Sequence, residues 1–227
     1  MLRITTTDQI SVAHGVKVLV YGQSGVGKTV LCATAPNPVI ISAEAGLLSL
    51  RKVSIPVIEI TSVDELVEAH RWCQESAEAR QYETICIDSI SEIGEVVLAN
   101  AKRQVKDPRQ AYGELLEKML TTIKAFRDLQ GKHVYMSAKM EPMRDELTGI
   151  VKYGPSMPGQ KLGPQLPYLF DEVFRMGINK TPQGEEYRFL QTQPDLQYEA
   201  KDRSGSLDRM EPPDLTHVFN KILGGAK

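Results

Sequence analysis

The sequence predicts an α/β fold in which helices cover both faces of a mainly parallel central sheet, with an antiparallel hairpin near the C-terminus. Three observations lead to this fold class. Apolar, β-branched segments alternate with stretches of helical periodicity along most of the chain. A glycine-rich segment separates the first such strand from the first helix. Two strand-like segments near the C-terminus flank the turn-rich residues 179–185.

The length and composition fit one globular domain, residues 1–227. A formal net charge of −2 shows no overall bias toward polyanions, so any nucleic-acid contact has to be local. No apolar run approaches the roughly 18 residues of a membrane span, and residues 1–10 lack the apolar core of a signal peptide. The three cysteines lie in apolar segments and the four histidines lie far apart. We therefore expect a cytoplasmic protein without membrane contact, disulfide or zinc site.

The first strand, residues 16–21, leads directly into a segment with the spacing of a phosphate-binding loop, and a helix-compatible stretch follows. Its glycines allow successive backbone N–H groups to point at the β-phosphate. Lys28 places a cation on the β and γ oxygens, and the Thr29 hydroxyl binds Mg²⁺. The predicted ligands are therefore ATP and Mg²⁺. The predicted phosphate-binding residues are Gly22, Gln23, Ser24, Gly25, Val26, Gly27, Lys28 and Thr29.

The next two apolar strands are residues 38–42 and 56–60. Glu44 lies just past the first of them, at the edge of the sheet where ligands bind, and could orient and deprotonate an attacking water. A solvated loop glutamate is the alternative interpretation. After the other strand, Ser62 and Glu65 predict a capping box at the start of an amphipathic helix.

Residues 84–88 form a buried-type strand that ends in Asp88, a carboxylate that can hold magnesium through water beside the phosphate loop. Ser89 and Glu92 predict a second capping box at the helix that follows. An apolar stripe from residue 115 to residue 126 predicts a further helix, which ends before the strand at residues 133–137.

The alternation of strand and helix stops between Met140 and Pro167, where several glycines and prolines occur. A segment of this length without regular structure is usually functional or mobile, so we expect residues 140–165 to be a mobile loop. Residues 173–178 and 186–191 predict the hairpin. Asp214 predicts the start of the last helix, which Gly224 ends.

Lys201 and Arg203 lie two positions apart, which puts both side chains on one face of a strand, and Ser204 with Gly205 predicts a turn after them. A solvated hairpin is one interpretation. In the other, the pair reaches into the nucleotide site of a neighbouring subunit as an arginine finger and stabilises charge on the γ-phosphate.

Five segments in this order resemble the core of the RecA-like ATPases: GQSGVGKT, IISAEAGL, TICIDSIS, a strand ending in YMSAK, and KDRSG. Within that superfamily the chain is similar to the short phage-encoded Sak-type single-strand annealing ATPases. Three further segments carry that similarity: DPRQAYGELLEKM, GQKLGPQLPYLFDEVFRM and AKDRSGSLDRMEPPDL.

The resemblance implies catalytic roles for four residues: Lys28 on the phosphates, Glu44 as the base, and Lys201 with Arg203 acting across a subunit interface. It implies Thr29 and Asp88 on magnesium. Ser137 or Lys139 would occupy the sensor position. A finger that acts in trans implies a homo-oligomer, either a ring or a filament. A phage-encoded member would work in the host cytoplasm, where a single-strand-binding protein is a candidate partner.

RecA-like proteins bind single-stranded DNA through two loops, and the resemblance places them here at residues 101–110 and 139–161. The first segment has a net charge of +3, which could follow a phosphate backbone. A solvated helix end is the alternative. Tyr112 and Tyr153 could stack on bases or serve in packing. The candidate DNA-binding residues are Lys102, Arg103, Lys106, Arg109, Arg144 and Lys152.

The function predicted from these features is that of a Mg²⁺-dependent ATPase that assembles on single-stranded DNA and promotes annealing or strand pairing in phage-type recombination. Two alternatives stay open. A nucleoside or small-molecule kinase would transfer phosphate to an acceptor hydroxyl and would need an arginine-rich lid within one chain. A nucleotide-dependent switch for protein assembly would hydrolyse ATP slowly and bind another protein.

Overall fold

The structure, a computed structural model, describes residues 4, 6, 14–44, 47–144 and 149–224. Within these residues a mainly parallel sheet lies between layers of helices, which confirms the predicted fold class. The strands are β1 (Lys17–Tyr21), β2 (Pro38–Ser42), β3 (Val57–Glu59), β4 (Thr84–Asp88), β5 (His133–Arg144), β6 (Val151–Ser156), β7 (Glu172–Lys180), β8 (Glu186–Gln191), β9 (Lys201–Asp202) and β10 (Met210–Glu211). The helices are α1 (Lys28–Leu31), α2 (Val63–Glu75), α3 (Ile90–Gln104), α4 (Pro108–Arg127), α5 (Leu166–Leu169) and α6 (Leu215–Ile222).

The sheet has the strand order β10-β8-β7-β1-β5-β4-β2-β3, so the strand that precedes the phosphate loop is central. Strand β1 pairs in parallel with β5 on one side and with β7 on the other. Strands β5, β4, β2 and β3 also pair in parallel. The carboxyl ends of β1, β2 and β4 therefore meet at one edge of the sheet, where ligands of such sheets bind.

The predicted C-terminal hairpin is present as β7 and β8, which pair antiparallel from Arg175–Gln191 to Lys180–Glu186. Two short strands extend this side of the sheet. Strand β10 pairs antiparallel with β8, and β9 pairs antiparallel with β7. The pairs among β7, β8, β9 and β10 are thus antiparallel, whereas β1, β5, β4, β2 and β3 pair in parallel along the sheet.

Two apolar cores flank the sheet because successive side chains of a strand point to opposite faces. Leu19 and Tyr21 contribute to the core that α2, α3 and α4 cover. Val18 and Val20 contribute to the core on the other face, which contains residues of α6. The first strand is therefore buried on both faces, which fixes the position of the loop that follows it. In the part of the chain that the structure describes, no helix combines the length and apolar character that crossing a membrane requires.

The helix starts follow the capping signals with one difference. Ser62 and Glu65 form the predicted reciprocal capping box at α2. At α3, Ser89 accepts the backbone N–H of Glu92 at 3.3 Å. The predicted reciprocal hydrogen bond, in which the Glu92 carboxylate would accept the backbone N–H of Ser89, does not form at this helix. The carboxylate pairs with Lys139 instead. A tertiary ion pair with Lys139 on β5 thus replaces the local capping interaction that the sequence pattern predicts for Glu92.

Residues 140–165 contain more regular structure than the sequence predicts. Strand β5 continues to Arg144 and pairs antiparallel with β6, from Lys139–Ser156 to Arg144–Val151. The expectation of an irregular segment is wrong for these strands. Prolines such as Pro142 are tolerated because an edge hairpin needs fewer ladder N–H groups than a central strand. Residues 145–148 of the predicted loop lie outside the described residues, and the mobility of the segment stays a prediction.

Glu172 is a buried carboxylic acid at the start of β7. Burial, and then the neighbouring Asp202 carboxylate, raise the pKa of Glu172 to about 8. Its Oε1 accepts the backbone N–H of Ser204 at 3.1 Å, whereas Oε2 is buried without a hydrogen-bond partner within the described residues. Glu172 is therefore protonated in the folded protein at neutral pH, beneath the turn that follows β9.

We predict that Glu172 makes the stability of the protein fall as the pH rises. The ordinary pKa of the carboxyl group is 4.5, so the folded protein holds a proton between pH 4.5 and about 8 that the unfolded chain releases. The stabilisation is complete below pH 4.5 and is lost as the pH approaches 8. The Glu172→Gln variant stays neutral, so its free energy of unfolding should rise relative to wild type by up to about 1.4 kcal/mol per pH unit over this range.

Urea unfolding at several pH values measures this difference. Glu186→Gln, which changes a carboxylate that forms a largely exposed ion pair on β8, is the matched control and should parallel the wild type. A pH profile of Glu172→Gln that also parallels the wild type would contradict the assignment of the proton to Glu172.

Candidate nucleotide-binding and catalytic site

A cavity of about 710 Å³ opens at the carboxyl edge of the parallel strands. It brings together the phosphate loop after β1, Glu44 two residues after β2, and the end of β4, which lie far apart in the sequence. The predicted site residues that line it are Gly22, Gln23, Ser24, Gly25, Gly27, Lys28, Thr29, Glu44 and Asp88. Its volume lies within the 300–1,000 Å³ or so of small-molecule sites.

The glycines of the phosphate loop are required by its backbone path. Gly25 and Gly27 have φ values of 76° and 113°, in the region that side chains rarely adopt. Gly22 is required by a close approach, since a Cβ there would lie 2.7 Å from the carbonyl oxygen of Met176 on β7. The neighbouring strand therefore holds the loop close to the sheet, and its N–H groups remain available to a phosphate.

Lys28 begins α1 and lies over the loop. Its Nζ donates hydrogen bonds to the carbonyl oxygens of Gly22 and Gln23, at 2.9 and 3.0 Å. Burial lowers the pKa of Lys28, while the Asp88 and Glu44 carboxylates act in the opposite direction. The buried hydroxyl of Tyr135 donates to the Lys28 carbonyl oxygen at 2.8 Å and fixes the first turn of the helix. The ammonium group is thus held above the loop by neutral carbonyl acceptors. Anionic phosphate oxygens are stronger acceptors and would replace these carbonyls as partners of the ammonium group.

Asp88 is a buried carboxylate at the end of β4. One oxygen, Oδ1, accepts a hydrogen bond from the hydroxyl of Ser137 on β5. The other, Oδ2, is buried and has no hydrogen-bond partner within the described residues. An unpaired buried carboxylate oxygen is unfavourable unless a cation or a cation-bound water completes its interactions. The donor set therefore fits a divalent cation at this position.

Mg²⁺ is the cation that this arrangement fits. Mg²⁺ in nucleotide sites is held by one or two protein oxygens together with phosphate oxygens and waters. Asp88 and the Thr29 hydroxyl, which lines the same cavity, can supply the protein oxygens. No group of three potential metal-binding His, Cys, Asp or Glu side chains occurs among the described residues, so the metal would depend on the nucleotide for its remaining ligands.

Glu44 lies directly after β2 and beside Asp88, because β2 and β4 are neighbours and Ser42 is opposite Asp88. Its Oε1 accepts a hydrogen bond from the Ser89 hydroxyl at 3.4 Å. Burial, followed by the Asp88 and Glu92 carboxylates, raises the pKa of Glu44. A raised pKa makes a carboxylate a better proton acceptor, which is the property that a general base requires.

The two candidate sensor residues have different environments. Ser137 is buried and bonds Asp88, so it orients the carboxylate and does not face the cavity. Lys139 lines the cavity and pairs with Glu92, whose hydrogen bond raises the pKa of the lysine. Lys139 is therefore the one of the two that adds positive charge to the cavity.

Lys201 and Arg203 are not part of this cavity. The strand register places Lys201 opposite Val173, and Val173 opposite Leu19, so Lys201 lies two strands, about 10 Å, to the side of Leu19. Leu19 is itself three residues, about 10 Å, before Gly22 in the chain, which puts Lys201 roughly 14 Å from Gly22. Lys201 Nζ donates to the carbonyl oxygen of Pro167 at 2.7 Å. Arg203 pairs with Asp171 at 2.7 Å and its side chain is 68% exposed. Neither cation lines the cavity of its own chain, so a role at a nucleotide would require a neighbouring subunit.

The candidate DNA-binding cations lie at the surface in two groups. Lys102, Arg103, Lys106 and Arg109 are exposed around the junction of α3 and α4, where Lys102 lies 5.5 Å from the centroid of the Tyr112 ring. Arg144 and Lys152 lie on the hairpin of β5 and β6. Arg144 is exposed, whereas Lys152 pairs with Glu199 at 3.3 Å.

Sequence reasoning missed residues on the opposite side of the cavity. Met176 of β7, Arg188 of β8 and Pro213 also line it. Arg188 Nε donates to the carbonyl oxygen of Val26 in the phosphate loop at 2.8 Å. Only the sheet order brings the hairpin next to the loop, and nothing in the local sequence of 186–191 indicates it.

Three comparisons with known proteins were made for this chain. A family model described as an AAA domain matches residues 14–204. Among solved structures, a KaiC-like protein of Pyrococcus horikoshii OT3 matches with 15% identity and a TM-score of 0.44 over 78% of each chain. The flagellar accessory protein FlaH of Methanocaldococcus jannaschii matches with 14% identity and a TM-score of 0.47 over 90% of this chain and 89% of FlaH. No curated protein matches the sequence.

The close approach at Gly22 gives a direct test of the loop. In Gly22→Ala the new Cβ would meet the Met176 carbonyl oxygen at 2.7 Å, so the loop has to shift and its N–H groups lose their alignment. We expect the affinity for ATP to fall by about tenfold or more, measured by titration calorimetry.

Gly113→Ala is the matched control. Gly113 lies within α4, where an added Cβ meets nothing within 4 Å. This variant should bind ATP normally and be stabilised by about 0.5–1 kcal/mol, since alanine favours a helix interior. Normal ATP affinity in Gly22→Ala would mean that the nucleotide does not use this loop.

Proposed function

We propose that this chain, which belongs to the AAA domain family and is an ATP hydrolase with a P-loop core, assembles on single-stranded DNA and promotes annealing or strand pairing. The resemblance of its sequence segments to the Sak-type ATPases motivates this proposal. We propose that hydrolysis requires Mg²⁺ and a neighbouring subunit of the same chain. ATP between subunits would stabilise the DNA-bound assembly, and hydrolysis would release it.

The roles of the residues at the nucleotide follow from their environments. Lys28 and the loop N–H groups hold the phosphates. Glu44 orients a water and accepts its proton as the water oxygen bonds to the terminal phosphorus. The bond from that phosphorus to the bridging oxygen breaks, and ADP and inorganic phosphate are released. Ser137 keeps the Asp88 carboxylate in place through its hydrogen bond. When bound, Mg²⁺ supplies positive charge to the phosphate oxygens.

Among the described residues that line the cavity, the one arginine is Arg188 on β8, on the opposite side of β1 from Asp88 on β4. The side of the cavity near Asp88 therefore has no arginine from the described part of the same chain, and Lys139 there is paired with Glu92. The exposure of Arg203 supports a role in trans, because its ion pair with Asp171 is at the surface and can be exchanged for a phosphate at little cost. We assign Lys201 and Arg203 to the γ-phosphate of a neighbouring subunit.

The observation that carries the proposed coupling to DNA is a buried junction at Tyr21, the residue directly before the phosphate loop. Its hydroxyl lies 3.0 Å from the carbonyl oxygen of Tyr153 on β6 and 2.5 Å from that of Glu199. Tyr153 and residues 197–199 are also joined by backbone hydrogen bonds of 2.7 and 3.0 Å.

Tyr21 connects the β5–β6 hairpin, the segment before Lys201 and the phosphate loop. Tyr153 belongs to the hairpin that carries Lys152 and Arg144, which we propose as DNA contacts. Glu199 lies two residues before Lys201, and Tyr21 precedes the loop that binds ATP. A displacement of the hairpin by bound DNA would therefore reach both the phosphate loop and the segment of the arginine finger through direct hydrogen bonds.

We predict that single-stranded DNA stimulates ATP turnover and that Tyr21→Phe removes most of the stimulation. Phenylalanine keeps the buried ring and loses only the hydroxyl, so basal turnover should remain within about twofold. Stimulation should fall steeply as salt rises from about 50 to 200 mM, because phosphate contacts release counterions. Steady-state turnover with and without DNA over this salt series measures both effects.

Tyr187→Phe, a similar change at a half-exposed tyrosine of β8, is the control and should keep the stimulation. Turnover by a monomer that DNA does not change at any salt concentration would contradict the DNA function. It would favour a kinase, detected by phosphate transfer to an acceptor hydroxyl, or a slow assembly switch.

Arg203→Ala tests the action in trans. We expect ATP binding to persist and turnover to fall by about 10³-fold, the scale of an arginine finger. Mixing this variant with Glu44→Gln should restore part of the activity, since Glu44→Gln subunits supply Arg203 to sites that retain Glu44. Arg209→Ala, at an exposed arginine outside these contacts, is the control. Absence of any recovery on mixing, with oligomers present, would contradict donation across an interface.

A further inference from the structure

A cation lies at the end of the nucleotide cavity opposite the catalytic carboxylates. Arg188 on β8 lines the cavity, and its Nε donates to the Val26 carbonyl oxygen at 2.8 Å. In the part of the chain that the structure describes, its guanidinium makes no other hydrogen bond and no ion pair. The acidic residues among those that line the cavity are Glu44 and Asp88, which lie at its other end. Arg188 therefore has no carboxylate beside it among the lining residues.

The strand order shows which strands lie at the two ends of the cavity. Strand β4, which carries Asp88, lies two strands from β1 on one side, and β8, which carries Arg188, lies two strands from β1 on the other. Neighbouring strands are about 4.8 Å apart, so each lies about 10 Å from the strand of the phosphate loop. The terminal phosphate has to face Glu44 and Asp88 for hydrolysis. The α-phosphate, ribose and base therefore extend toward β7 and β8.

Arg188 is exposed, and its side chain is anchored to the phosphate loop by the hydrogen bond from Nε. A Cβ at Gly27 would lie 3.1 Å from Met176 Cε and 3.4 Å from Arg188 Nε, so the hairpin covers the loop directly at this glycine. Because Nε is bonded to the loop, the terminal guanidinium nitrogens keep their donors for a ligand. A planar guanidinium with free donors is suited to pair with phosphate oxygens.

We propose that Arg188 binds the α-phosphate of the nucleotide within the same chain, and that Met176 and Pro213 provide the apolar contacts next to it. Arg188 is then a determinant of nucleotide affinity, in contrast to Lys201 and Arg203, which we assign to the γ-phosphate of a neighbour. This proposal rests on ATP binding by the chain and on the proposed roles of Glu44 and Asp88, and it is independent of the proposed DNA function.

A contact with the α-phosphate and a contact with the γ-phosphate predict different effects on the affinity for ADP. A contact with the α-phosphate is present in both nucleotides, so Arg188→Ala should weaken ATP and ADP binding by the same factor, about 10–100-fold for a charged hydrogen bond. A contact with the γ-phosphate would weaken ATP alone. In turnover measurements the lost affinity should appear as a higher KM for ATP.

The experiment measures affinity by calorimetry on the full chain without DNA, with ADP and, in a Glu44→Gln background that prevents turnover, with ATP. Arg188→Lys, which keeps the charge without the planar fork, should recover part of the affinity. Lys180→Ala removes an exposed cation from the same hairpin and should bind both nucleotides normally. Arg188→Gln, which keeps a donor to the Val26 carbonyl, serves if Arg188→Ala unfolds.

Equal losses for ATP and ADP with an unchanged melting temperature support the proposal. Unchanged affinity for both nucleotides overturns it. A loss confined to ATP also overturns it, because the contact would then belong to the γ-phosphate. Neither result depends on whether DNA stimulates turnover, so failure of this proposal and failure of the proposed function are distinguishable.

Discussion

The site depends on a buried carboxylate with one oxygen satisfied and one free. Ser137 holds Oδ1 of Asp88, and Oδ2 is buried without a partner in the described part of the chain. Such a group costs free energy in the isolated chain, and a cation recovers it. Parallel pairing of β1, β5, β4 and β2 places this carboxylate beside Lys28 and Glu44 at a single edge of the sheet. The fold thus concentrates opposite charges in one cavity, ready for a metal and a triphosphate.

We propose that the chain separates nucleotide binding from the activation of hydrolysis. Groups from the same chain hold the nucleotide: the phosphate loop, Lys28 and, as we propose, Arg188. The groups that we assign to activation, Lys201 and Arg203, lie outside the cavity and reach a nucleotide only through a neighbour. Tyr21 joins the segment before these cations to the hairpin of β5 and β6 and to the phosphate loop. An ATPase built in this way would be slow alone and fast in an assembly.

Local sequence patterns predicted the parts that depend on local geometry. The phosphate loop, the strand that ends in Asp88 and the capping box at Ser62 each need only neighbouring residues. The features that the sequence did not predict depend on contacts between distant segments. Glu92 pairs with Lys139 from another strand, the β5–β6 hairpin tolerates prolines because it is an edge, and Arg188 reaches the loop through the sheet order. The roles of Glu44, Lys201, Arg203 and the DNA-binding cations stay predictions.

The most direct test of this account is a structure of the assembled protein with Mg²⁺, a non-hydrolysable ATP analogue and single-stranded DNA. The account predicts that Arg203 of one protomer leaves Asp171 and lies within hydrogen-bond distance of the terminal phosphate bound by its partner, with Mg²⁺ beside Asp88. An assembly in which Arg203 of every protomer stays on its own Asp171, while each nucleotide is enclosed by residues of one chain, would contradict it.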